Sequence, residues 1–417
     1  MRKRPALFET CLITLAVGLN LHQSSAESAG INPNFDGLET LRIVISNDRN
    51  LAAVYGNRQD PPWDERESGG VELWDIQANE KKRTVMQRAR VENPEVGSLA
   101  FSPDNQLLVC GRPDGTGLFW DVSTGEKMQS LGDYGGRLGA IAISPDGRMV
   151  AGGSRKDINI TPEEHKIKER KSGSRRVAGG SRKDINITLE EHKTRERESG
   201  SQGFASYPQR YISFGEIRAR DAQTNKLIWT AKWGLGWPSS LAFSPDGNIL
   251  AAAGDGEVKV YDSKTGTLQQ RLEGSFSDEC PIAFSPDGKL LAGSNSGNAV
   301  IVCEVQSGKV RHTLEGHKNT IRSVSFSPDG KFVASAGSDN TVRLCHSVTG
   351  ELEQVFVGLD SGSKGTNARR RGNTSLRAVT FSRDGEEVIA VGFRSSWSEI
   401  ATNMTIQRWS IAKQPQQ

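Results

Sequence analysis

The sequence predicts an all-β fold: a seven-bladed β-propeller of four-stranded antiparallel blades, carrying one partly helical or disordered insertion in blade three. Three observations predict it. The string Phe-Ser-Pro-Asp-Gly recurs at 243–247, 284–288 and 326–330, in steps of 41 and 42 residues. Variants stand at 101–105, 143–147 and 381–385, with a worn copy at 45–49, which makes seven units. A period of this size marks a repeat architecture, in which each unit buries its faces against its neighbours. Composition agrees, because 6% aromatics, 35% hydrophobics and 45 glycines suit thin strands joined by many turns rather than a helical bundle. The 417 residues exceed a typical domain, but closed repeat folds run long as single units.

The first segment lies outside the repeats. Arg2, Lys3 and Arg4 open the chain, an apolar run covers 11–21, and Ser24-Ser25-Ala26 supplies small residues for cleavage. This is the layout of a secretory signal peptide over 1–26, blemished by Glu9, and its apolar run is short for a membrane span. The expectation is export, to a secreted or periplasmic location, of a mature chain 27–417 with no transmembrane segment. Export permits disulfides. Even so, the spacing of Cys110, Cys280, Cys303 and Cys345 shows no framework or metal pairing, and all four are read as buried thiols.

Within a unit, the apolar stretch ending in Phe-Ser is the first strand, as in Ser240-Leu241-Ala242-Phe243. Ser-Pro-Asp-Gly then turns the chain, since proline presets φ at the second turn position and glycine is favoured at the fourth. The second strand follows, as at 248–253, and the third carries Val258-Lys259-Val260-Tyr261-Asp262 before a Thr-Gly turn into the fourth. The register of the third strand has an independent check. Four residues beyond its terminal polar position stands a residue tolerant of positive φ. The pairs are Asp75/Asn79, Asp121/Gly125, Asp221/Asn225, Asp262/Gly266, Glu304/Gly308 and His346/Gly350.

Leu73-Trp74-Asp75 and Phe119-Trp120-Asp121 carry a Trp–Asp dipeptide at the end of that third strand, and Gly316-His317 precedes one unit. In these features the chain resembles the Trp–Asp (WD) repeat family of β-propellers over about residues 40–412. Other blades depart from the signature, with Arg220-Asp221, Tyr261-Asp262, Cys303-Glu304, Cys345-His346 and Trp409-Ser410 in its place. The resemblance implies a structural hydrogen-bond network of His317, Ser335 and Asp339, with Cys345 standing where the family has the network's tryptophan. It also implies a platform for protein partners.

The seventh unit has no fourth strand after Trp409, and a bare edge invites aggregation. Residues 31–40 are expected to supply that strand and close the ring. Antiparallel connectivity places the strand one–two and three–four turns on one face, where all are short. Every long insertion falls on the other face: 56–70, about 154–211, 357–375 and 393–403. Binding residues concentrate on loops held by a rigid scaffold. The candidate contact residues there are Trp63 and Trp397 within insertions, Trp233 and Trp237 at the junction of blades three and four, and the cations Lys364, Arg369, Arg370 and Arg371. Trp74, Trp120 and Trp409 are third-strand packing residues.

The largest insertion holds a tandem duplication, 150–176 against 177–203, matching at 21 of 27 positions. Thr161-Pro162-Glu163-Glu164 and the copy at 188–191 resemble helix starts, but the charged run after each lacks an apolar stripe. The two copies compete for one strand slot, and the turn at 144–147 favours the first. Residues 150–203 carry a net charge of +4 within a chain of +3, so the remainder is close to neutral. No global field points to nucleic acid.

No catalytic constellation is present. His22 lies in the signal, His165 and His192 in the duplication, and His312 and His346 in or beside strands. His-Glu-x-x-His, paired-cysteine and Gly-x-Ser-x-Gly patterns are missing. The expectation is a monomeric, non-enzymatic scaffold with no cofactor or metal, binding an unidentified protein through the loop-rich face. The competing readings are a propeller enzyme or cofactor binder of quinoprotein or lactonase type, and a carbohydrate- or envelope-binding module.

Overall fold

The structure, a computed structural model, describes residues 38–58, 70–87, 96–160, 210–358, 374–394 and 403–411. Its elements are strands, grouped into seven antiparallel sheets in which sequence neighbours pair. Blade one is Leu38–Ile45, Leu51–Arg58, Gly70–Asp75 and Glu80–Gln87. Blades two to six cover 98–131, 137–235, 240–271, 282–314 and 321–357, each with four strands. Blade seven has three among the described residues: Thr374–Phe381, Glu387–Arg394 and Asn403–Ser410.

The first strand of each blade touches the first strand of the next, and that of blade seven touches that of blade one. The innermost ring is therefore closed. Apolar packing explains why. Seven buried clusters occupy the seven seams between consecutive blades, and the aromatic or isoleucine of each repeated motif enters the seam with the preceding blade. Phe101 packs with Val44, Tyr55 and Leu73 of blade one, and Phe326 packs with Leu290 and Val302 of blade five. Ile45 closes the circle against Ala378, Ile389 and Val391 of blade seven. Trp74, Trp120 and Trp409 face the same seams from the third strands, with the Trp409 ring stacked on Phe356 at 5.4 Å. Each seam removes a row of apolar side chains from water, which is the main favourable contribution to such a fold.

The turns form as their residues dictate. In blade four the Ser244 hydroxyl donates to the Asp246 carboxylate at 2.5 Å and accepts the Ile249 N–H at 3.0 Å, while Gly247 takes φ 74°. Serine and aspartate pair in the same way in all seven blades. Blades one and two put Arg49 and Asn105 at the left-handed position, φ 62° and 59°. All six third-strand partners are left-handed too, from Asn79 at φ 54° to Gly350 at 77°. The register read from the sequence is therefore the register of the fold.

Two expectations need revising. The insertion of blade three does not leave the sheet at residue 154. Its second and third strands, Met149–Ile160 and Arg210–Asp221, stay paired out to Ile160↔Arg210, whereas pairing with the first strand stops at Arg155↔Arg137. The base of the insertion is thus a two-stranded ribbon that continues beyond the blade. It uses the first copy of the duplication, as the turn at 144–147 favours, and the two helix starts at 161–164 and 188–191 lie outside the described residues. Of the segment expected to close blade seven, Leu38–Thr40 instead belong to blade one's innermost strand, because Leu38 pairs with Arg58 and Thr40 with Asn57. Residues 31–37 and the signal segment 1–26 lie outside the described residues. Cys110, Cys280, Cys303 and Cys345 are buried and free, and burial pushes each thiol up from its ordinary value.

Candidate functional site

The two faces differ in chemistry. On the short-turn face, turn groups satisfy one another. Burial raises the Asp246 carboxyl, but the Ser244 hydroxyl and the Asn248 N–H hold it below the usual carboxylate range, and the same devices act on Asp287 and Asp329. On the opposite face, the ribbon of blade three rises past its neighbours, and the connections 59–69, 161–209, 359–373 and 395–402 depart from strand ends.

Of the contact residues expected on that face, Trp63, Lys364, Arg369, Arg370, Arg371 and Trp397 lie outside the described residues. Trp233 is placed differently from expectation. Blade three's fourth strand, Leu227–Leu235, follows its lengthened third strand, so Trp233 falls within the sheet. It is 4% exposed in the seam with blade four. The Lys259 ammonium lies 4.1 Å from the ring centroid and donates to the Trp233 carbonyl at 2.8 Å. Trp233 caps the core and offers no ring to a partner. Trp237 is half-buried at the base of the ribbon, with the Arg155 guanidinium 4.2 Å from its centroid. Arg155 is held in turn by Asp157 at 2.6 Å, which accepts the Ser213 hydroxyl at 2.5 Å. Trp237 is the tryptophan among the candidate contact residues that is both described and only half-buried.

The implied network is present. His317 Nδ1 meets Asp339 at 3.0 Å and Nε2 meets the Ser335 hydroxyl at 2.8 Å. Asp339 also accepts the Lys318 N–H at 2.8 Å and the Thr341 hydroxyl at 2.9 Å. Burial lowers the His317 imidazole below its ordinary 6.5 despite Asp339 beside it. The Asp339 carboxyl is raised by burial, but these hydrogen bonds hold it below its usual range. Cys345 takes the tryptophan position and packs in the seam between blades five and six, so the relay ends at Ser335.

Sequence reasoning missed a charged cluster at the mouth of the central channel. Three consecutive blades place an arginine directly after an aliphatic residue on the innermost strand: Ile321-Arg322, Leu376-Arg377 and Leu41-Arg42. Comparing the units position by position would have found this pair. In blades six and seven the arginine is the extra residue of a β-bulge, since pairing jumps from Ile321 to Ser323 and from Leu376 to Ala378. Bulges re-aim side chains and gather next to functional sites. Arg42 is 1% exposed and its Nε donates to the Gly97 carbonyl at 2.7 Å, while Arg322 Nε donates to the Ser338 hydroxyl at 2.8 Å. Both acceptors stand on connections of the loop-rich face. Glu279, from the junction of blades four and five, approaches Arg322 at 3.9 Å. Burial lowers Arg42 to about 9 and Arg377 to about 10, so both stay charged at neutral pH. Burial raises Glu279, opposed by Arg322, Arg42 and Arg377 in that order.

An open groove of about 440 Å3 lies between blades two and three on the short-turn side, lined by Leu107, Phe119, Met128, Ile143 and Gln129. None of its lining residues is titratable. Among the described residues no set of histidine, cysteine and carboxylate side chains is gathered as metal ligands, and no helix is long and apolar enough to cross a membrane.

Comparison with known proteins bears on family. The family described as "WD domain, G-beta repeat" matches residues 87–121, 234–262 and 308–346. The small ribosomal subunit protein RACK1y of Oryza sativa subsp. japonica is 30% identical over 97 residues, which is 23% of this chain and 27% of that protein. The small ribosomal subunit protein RACK1 of Glycine max is 34% identical over 74 residues, 18% of this chain and 22% of that protein. That of Medicago sativa is 34% identical over 71 residues, 17% and 22% of the two chains. The chain thus spans about a quarter, or somewhat less, of the length of these curated relatives. Seven blades closed through seven apolar seams, Trp–Asp dipeptides on third strands and three matched repeats together make this chain a WD-repeat β-propeller protein.

Proposed function

We propose that this propeller is a non-enzymatic scaffold that binds a protein partner through its loop-rich face. The observation that carries this reading is the contrast between the faces. One is closed by seven Ser–Asp turns, while the other carries the ribbon of blade three, the insertions and the half-buried Trp237. A rigid ring that varies on one side is the arrangement expected of a platform. The relatives are named as parts of the small ribosomal subunit, which supports a role within an assembly rather than in turnover of a substrate. Replacing Trp63, Trp237 and Trp397 together with alanine is expected to abolish capture of the partner from the native fraction with folding intact, since aromatic anchors dominate interface energetics. Undiminished capture by the triple variant would move the contact elsewhere.

We propose further that residues 1–26 form a cleaved export signal and that 31–37 supply the fourth strand of blade seven. The exported chain is then expected to begin near residue 27 by intact mass. A chain starting at residue 27 should melt like the exported one, and a chain starting at residue 38 should melt well below it. Equal melting of the two truncated chains would remove 31–37 from the ring. An export-arm result showing Met1 retained would remove the signal. Export would also separate this chain from the ribosomal setting of its relatives.

A further inference from the structure

We propose that Asn159, on the ribbon of blade three, is the acceptor of an N-linked oligosaccharide. Asn159-Ile160-Thr161 has the acceptor pattern, an asparagine followed two residues later by threonine with no proline between them. Three other segments match it: Asn186-Ile187-Thr188, Asn373-Thr374-Ser375 and Asn403-Met404-Thr405. Strand connectivity assigns all four to the loop-rich face, on or beside the connections 161–209, 359–373 and 395–402. None of Asn47, Asn50, Asn79, Asn105, Asn225 and Asn248, on the short-turn side, has serine or threonine two residues on. Such a modification rests on the export reading of residues 1–26, since N-linked acceptors belong to secreted chains.

Placement selects Asn159 among the four. Asn186 and Asn373 lie outside the described residues. The segment at 403 runs into the sheet of blade seven, where Thr405 pairs with Gly392 and its hydroxyl is buried. Asn159 pairs with Tyr211, four residues beyond Arg155, where pairing with the first strand of the blade stops. On the other side, pairing with the fourth strand stops at Phe214↔Leu235. At Asn159 the ribbon therefore has no neighbouring strand on either edge among the described residues. Bare edges invite pairing with another chain, and the β-prone Ile158, Ile160, Tyr211 and Ile212 add to that hazard. A bulky, solubilising oligosaccharide on Asn159 blunts the edge that this strand presents.

The transfer balances with a lipid-pyrophosphate oligosaccharide as donor. The Asn159 amide nitrogen forms a bond to the anomeric carbon, and the bond from that carbon to the pyrophosphate oxygen breaks. The lipid pyrophosphate leaves with the electron pair, and the amide loses one proton. The test is mass spectrometry of the full chain purified from its native exported fraction. Trypsin releases Asp157–Lys166 and Asp184–Lys193, which differ at Pro162 against Leu189, so the two copies are read separately. Asp157–Lys166 should carry an oligosaccharide, and enzymatic release should leave an aspartate in place of the asparagine. Asn159→Gln and Thr161→Val should lose the modification at that site, whereas Thr161→Ser should keep it.

An exported chain that begins near residue 27 with Asp157–Lys166 unmodified would overturn the acceptor site and leave the export reading standing. A chain that keeps Met1 and carries no sugar would remove both. The role of the sugar is read by light scattering on the folded chain before and after enzymatic release. The parent should stay monomeric, and the released chain should associate at the same concentration. A released chain that stays monomeric would overturn the protection of the ribbon's edge.

Discussion

Phe326→Ala is expected to destabilise the protein by about 3–5 kcal/mol, the range for deleting a buried aromatic ring. Phe326 is fully buried in the seam between blades five and six, against Leu290, Val302, Ile321, Val333 and Cys345. The seam cannot collapse onto the void, because each blade is also fixed by its other neighbour around a closed ring. The cost should therefore include most of the cavity contribution as well as the lost transfer free energy. Urea unfolding of Phe326→Ala beside Val348→Ala, whose valine is 50% exposed, makes the comparison internal. The exposed substitution should stay within about 0.5 kcal/mol of the parent. A Phe326→Ala loss below about 1 kcal/mol would mean the seams do not hold the ring.

Asp339→Ala is expected to cost roughly 2–3 kcal/mol, because it strands several donors at once in a site where burial forbids easy solvation. His317 Nδ1 and the Lys318 N–H lose their acceptor, and the Thr341 hydroxyl is left with only the 3.3 Å contact to His317 Nδ1. The network also sets a pH dependence. Burial depresses the folded-state pKa of His317 below 6.5, so the unfolded chain binds a proton more readily than the folded one. The stabilisation is present above pH 6.5 and is lost progressively as pH falls through the folded-state value. Asp339, also depressed, adds a second loss that begins near its ordinary 3.8. Urea unfolding at a series of pH values from 7.5 downward should show His317→Gln flatter than the parent below pH 6.5. Parallel curves would place the acid sensitivity in other groups.

Much of the fold was legible because the same short-range chemistry is written seven times. The Ser–Asp turn needs four residues and the third-strand turn five, so neither depends on distant neighbours, and all six positive-φ partners stand where the spacing put them. That each unit buries its faces against its neighbours also followed from the period; that the motif's aromatic or isoleucine enters the seam with the preceding blade is seen only in the packing. What the sequence hid is long-range. Trp233 reads as a junction residue until the third strand's extension draws the fourth strand out to Leu235. Leu38–Thr40 read as free to close blade seven until their pairing with Asn57 and Arg58 is seen. The arginine cluster depends on two bulges and on the meeting of blades six, seven and one, which no single repeat reveals. The network was legible from Gly316-His317, although Cys345 leaves it without its tryptophan.

On the proposed reading, a rigid seven-bladed ring presents one face to a protein partner. Crosslinking of the native complex, with the linked residues located by mass spectrometry, tests it most directly. Crosslinks from one recurrent protein should fall on 59–69, 359–373 and 395–402 and on the ribbon beside Trp237. Crosslinks concentrated on the Ser–Asp turns, or no recurrent protein at all, would contradict it.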